Sequence, residues 1–150
     1  MRWLTAGLAL ALCASAGAQD APDAQGGAEA DITGAWAFQT ELYELNAQGE
    51  GCRMTGEMTI IPEGDGFQCR FTAREKCPLS QHSAEQICTL TRQGDRLLIE
   101  AVILRVDPPT ISYAPDNFSL TIENSGLMRG RLVSADIAPV TFYRDAGLVS

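Results

Sequence analysis

The sequence is poor in catalytic equipment. It holds one histidine, His82, and none of its five cysteines stands in C-x-x-C spacing with another. A Ser-His-Asp hydrolase would need His82 as its base, and this residue sits in "CPLSQHSAE" among polar neighbours, where it reads as a solvated loop residue. No glycine-rich loop follows a strand and opens a helix, so nucleotide chemistry has no support. Two-carboxylate chemistry needs acids that project inward together, whereas Glu57, Glu100 and Glu123 fall on the outward parity of their segments. No helical period persists, the apolar run of the first residues is too short to cross a bilayer as a permanent helix, and no later segment comes close. The expectation is a protein that is not an enzyme, with no cofactor and no metal.

The chain opens "MRWLTAGLALALCASAGAQD": one arginine, a short apolar run, then small residues ending in an A-x-A pattern. This is the layout of a secretory signal peptide over residues 1–18, with cleavage after Ala18 and a periplasmic or secreted destination. Lipid anchoring at Cys13 is not expected, because the residue before a lipidated cysteine should be small and Leu12 is not. Export leaves Cys52, Cys69, Cys77 and Cys88, an even number in an oxidising compartment, which favours two disulfides over metal ligation. Loss of Arg2 takes the formal net charge of −8 one unit lower, against nucleic acid or anionic membrane as partners.

Residues 19–31, "QDAPDAQGGAEAD", contain no bulky apolar side chain to offset ordering entropy and read as a flexible acidic arm. From residue 32 to 150 the texture is that of one all-β domain: short apolar–polar alternations separated by Gly, Pro, Asp and Asn. Eight strands are predicted, over 34–42, 52–61, 66–74, 86–92, 96–106, 117–123, 127–134 and 140–144. Tight turns such as "PEGDG", "QGD" and "NSG" make consecutive strands a meander. Such a meander closes most economically into an eight-stranded antiparallel up-and-down barrel, with a small β-sandwich as the alternative. A hairpin of the third and fourth strands puts Cys69 opposite Cys88, and the second and third strands bring Cys52 near Cys77, so these are the predicted pairs.

Trp36 and Arg144 share the inward parity of the first and last strands, which are neighbours in a closed barrel, so the guanidinium is expected over the indole. The triplet Gly34-Ala35-Trp36, the arginine on the last strand and the ending "GLMRGRLVSADIAPVTFYR" resemble the calycin superfamily. Within it, they look most like the group of bacterial metalloprotease inhibitors and outer-membrane lipoproteins. The likeness touches only the two ends of the domain. It implies a non-catalytic, protein-binding barrel, with a protease as the partner class and the arm as the segment that enters its cleft. Asp20 and Asp23 are the arm's candidate partner-binding residues.

Two other readings remain open at this point. A lipocalin-like carrier would hold a small apolar ligand between Met54, Met58, Phe67, Phe71 and Phe118. A structural envelope protein would present the loop "DPPTISYAPDN", with Tyr113 as the anchor of its contact surface. A monomer is expected in each case.

Overall fold

Side chains that alternate between apolar and polar stand on opposite faces of a strand, so each such segment buries one face only if the sheet wraps around it. The computed structural model describes residues 29–134 and 137–144, and in it the sheet wraps completely. Its strands are β1 (Gly34–Thr40), β2 (Arg53–Glu63), β3 (Gly66–Lys76), β4 (Gln81–Gln93), β5 (Arg96–Asp107), β6 (Phe118–Asn124), β7 (Leu127–Leu132) and β8 (Ala138–Arg144). They form a closed antiparallel barrel in chain order, sealed where β1 meets β8 in the register Trp36↔Arg144 to Thr40↔Val140. Closure excludes the sandwich alternative. The expected signal peptide and the arm residues Asp20 and Asp23 lie outside the described residues.

The two disulfides join Cys52 to Cys77 and Cys69 to Cys88, the predicted pairs. Cys69 and Cys88 are directly opposite in the β3–β4 register, and Cys52–Cys77 lies just past the end of the β2–β3 ladder. Both bonds are consistent with an oxidising, exported environment.

The largest departure from the predicted boundaries is in β3 and β4, which run on to Lys76 and begin at Gln81. The connection is a short turn closed by Cys77 N–H donating to Ser80 O at 2.9 Å. His82 is therefore a strand residue, not a loop residue. Alternation fades over "SQHSAEQ" because the inward positions there are His82, Ala84 and Gln86, one small and two polar.

The middle of the barrel is filled by rings. Phe38 stacks on Phe142 with centroids 4.9 Å apart and meets Phe118 at 5.4 Å and Phe71 at 5.9 Å. Its cross-strand partner on β2 is Gly56, where an added Cβ would come within 2.3 Å of the Phe38 ring. A glycine is needed there because the ring occupies the side-chain space.

One end of the barrel is capped by Trp36, whose indole N–H donates to Ile32 O at 2.9 Å. The Arg144 guanidinium carbon lies 4.3 Å from the indole centroid. The same guanidinium donates to the carbonyls of Thr33, Asp31 (2.7 Å) and Ser125 (2.8 Å). Gly34 has φ +101°, a left-handed conformation that favours glycine, and a Cβ there would stand 2.9 Å from an Arg144 nitrogen. The glycine thus lets the chain turn into β1 beneath the arginine, two residues before the indole that the arginine covers. Trp36→Ala should lower the unfolding free energy by about 3–5 kcal/mol, measured by urea denaturation; a loss under about 1 kcal/mol would show that the indole does not hold this end.

Candidate functional site

The opposite end of the barrel is polar. Continuing the inward parity of β3 past Phe71 and Ala73 leads to Glu75, and running β4 back from Leu90 and Cys88 leads to Gln86. The strands here outlast the apolar core, so their inward side chains must find hydrogen bonds instead.

They find them in two linked groups. Gln86, fully buried, donates from Nε2 to Asp116 Oδ2 and accepts at Oε1 from the Asp116 backbone N–H at 2.9 Å. The Tyr113 hydroxyl donates to the same Asp116 oxygen at 3.0 Å. Beside them, the Tyr43 hydroxyl donates to Glu75 Oε2, and His82 Nε2 lies 2.6 Å from Glu75 Oε1. The Tyr113 ring stands edge-on to His82, with centroids 6.1 Å apart, and joins the two groups. Among the described residues, every buried side-chain nitrogen and oxygen has a hydrogen-bond partner.

Between these groups is a cavity of about 180 Å³ whose lining includes Glu44, Met54, Glu75, His82, Tyr113 and Asp116. Small-molecule sites usually enclose about 300–1,000 Å³, so this one suits water or a small polar group, such as the tip of a side chain. Three carboxylates, Glu44, Glu75 and Asp116, line it beside His82, Tyr113 and two serines, and they favour a group that donates hydrogen bonds. Glu44 also lies beside Cys52 and Cys77, with ligand atoms all within 4.8 Å. Those two sulfurs are bonded to each other, so they offer no thiolate to an ion while the disulfide stands.

Burial raises the carboxyl of Asp116 from its ordinary 3.8 to about 6. Hydrogen bonds from Gln86 and Tyr113 oppose that shift, and the charge of Glu75 adds to it. Burial, then the neighbouring Asp116 charge, pushes the Tyr113 hydroxyl far above its ordinary value. At the capped end, hydrogen bonds from the Thr33 backbone N–H and hydroxyl hold Asp31 below the usual carboxylate range.

The residues singled out from the sequence fall in three places. Gly34, Trp36 and Arg144 meet at the capped end. Met54, Met58, Phe71 and Phe118 are buried in the single core, where the Phe71 and Phe118 rings touch at 6.0 Å, and Phe67 packs partly buried against it. Tyr113 is half-buried with its hydroxyl turned inward to Asp116, so the loop does not present it outward as an anchor. Sequence reasoning missed Tyr43, Glu75, Gln86 and Asp116. For Glu75 and Gln86 the parity of β3 and β4 carried the signal; for Tyr43 and Asp116, which lie off the strands, no periodicity did. No protein-family model matches the chain, and no curated protein matches it.

The folded-state value of Asp116 lies above its unfolded one, so the stability this group contributes is complete below about pH 4 and is lost as pH rises through about 6. That difference corresponds to about 3 kcal/mol. Asp116→Asn, which keeps an oxygen for Gln86 and Tyr113, should be the more stable protein at pH 7.5, with the gap closing toward pH 4. Parallel denaturation curves across that range check the sign; a gap that widens on acidification contradicts it.

Proposed function

We propose that the protein is an exported, non-catalytic binding barrel whose partner is another protein. The observation that carries this reading is the ring cluster of Phe38, Phe71, Phe118 and Phe142, which fills the space a carrier would need for an apolar ligand. Recognition then falls to the ends of the barrel and its connecting segments, which are held firmly enough to present a fixed surface.

The finer form of the reading is a protease inhibitor of the kind the sequence resemblance implies. The strap before β1 supports it. Arg92 pairs with Glu29 at 2.6 Å and donates to Ala30 O at 2.8 Å, while Arg144 holds Asp31 and Thr33. Two arginines from distant strands thus fix residues 29–33 across the capped end. The preceding segment, with Asp20 and Asp23, would leave from a defined point toward a protease cleft. The signal peptide ending at Ala18 would deliver the protein to the periplasm or beyond.

The mature protein, starting at Gln19, should inhibit an exported protease of its own organism at near-stoichiometric ratio, and a version starting at Glu29 should lose that inhibition while keeping its unfolding curve. Equal inhibition by both forms rejects the role of the arm. If no exported protease is slowed and cross-linking in the periplasm yields no protein partner, the protein-binding reading fails.

A further inference from the structure

The rim beside the Cys52–Cys77 disulfide gathers cations in a chain whose formal net charge is −8. Arg53 on β2 stands directly opposite Lys76 on β3, and Arg74 follows opposite Thr55. Like charges placed directly across a sheet repel, so this arrangement costs stability. Three arginines elsewhere are paired with carboxylates, Arg92 with Glu29, Arg105 with Glu85 and Arg129 with Glu123, but none of them stands directly opposite another cation as Arg53 does. Arg53, Arg74 and Lys76 have no ion-pair partner among the described residues.

The same rim is apolar where it should be wet. Leu79, at the tip of the β3–β4 turn, is 100% exposed, and Leu42 and Leu45, on the segment between β1 and β2, are exposed as well. Between these groups runs a concave site of about 620 Å³ lined by Leu42, Arg53, Lys76, Cys77 and Pro78. It continues across Leu42 and Arg53 into a second hollow of about 450 Å³ that reaches Tyr143 on β8 and is also lined by the exposed acid Glu41. Glu50 also lines the first hollow, where it accepts a hydrogen bond from Asn46 at 3.1 Å. The disulfide staples the segment before β2 to the turn after β3, so both walls of the hollow are fixed in advance.

We propose that this rim docks an acidic segment of the protein partner, whose carboxylates meet Arg53, Arg74 and Lys76 while its apolar side chains cover Leu42 and Leu79. This rests on the reading that the partner is a protein and adds the chemistry of its contact. Charge complementarity selects the occupant, because an acidic segment removes the repulsion between Arg53 and Lys76 and a basic one would add to it. The fixed hollow lowers the ordering cost of binding, and the exposed leucines supply the apolar contact that holds a complex after electrostatic encounter.

The test uses the mature protein and a short labelled peptide of alternating leucine and glutamate, with the lysine-for-glutamate peptide as control. Fluorescence anisotropy should show saturable binding of the acidic probe that weakens with added salt, and no binding of the basic one. The doubly substituted Arg53→Glu/Lys76→Glu should weaken the acidic probe about tenfold or more. Leu79→Ser, at a side chain that packs on nothing, should weaken it severalfold without moving the unfolding midpoint. Binding that survives the charge reversal, equal binding of both peptides, or binding to anionic vesicles but not to the acidic peptide overturns the proposal. The probe titration needs no native partner, so its failure is separate from failure of the protein-binding reading, which shows in the periplasmic cross-linking.

Discussion

The ring of Phe38 sets how this barrel can close. It faces Gly56 across the β1–β2 ladder, and the small-residue row continues through Ala73 and Ala84 on β3 and β4. On the other side the rings of Phe142 and Phe118 fill the space. Small residues on one arc and large ones on the other let a closed sheet pack a solid interior without forcing rotamers, which is how narrow barrels reach native packing density.

Below the ring layer, Trp36 continues the apolar core to its end, and the chain that enters there needs partners for its carbonyls. Arg144 and Arg92 supply them, so the capped end is held by charge-assisted hydrogen bonds to backbone as well as by apolar burial. Above the layer, the strands extend further than apolar side chains can fill. Gln86 and Asp116 satisfy each other there, and Tyr113 completes the network from the loop between β5 and β6. A buried, fully bonded polar group fixes a loop in one place, and its partial titration near pH 6 makes that hold dependent on proton concentration. The disulfide-stapled rim lies at this same end, where Glu44 lines the polar cavity and stands beside Cys52 and Cys77.

The sequence pattern shows the fold well because alternation is a burial signal: residues such as Met54, Met58 and Ile60 mark one face of a strand without ambiguity. Hairpin geometry then decides the cysteine pairing, since Cys69 and Cys88 are equidistant from the turn. The same reasoning fails at the mouth for a physical reason. Glu75 and Gln86 occupy inward positions, but an inward polar residue looks like an outward one unless the strand's parity is carried past its last apolar side chain. His82 looked like a loop residue because a disulfide-bonded turn of few residues can follow a polar strand end. The loop carrying Tyr113 and Asp116 has no period at all, and its inward side chains are placed by Gln86 across the barrel.

The claim on which the account rests is that the barrel's middle is full. A titration of the mature protein with a fluorescent fatty-acid analogue, read by energy transfer from Trp36, tests it most directly. A filled interior gives no saturable transfer at stoichiometric concentrations. Saturable, one-to-one transfer would contradict it, because it would place an apolar ligand where the four phenylalanines are packed.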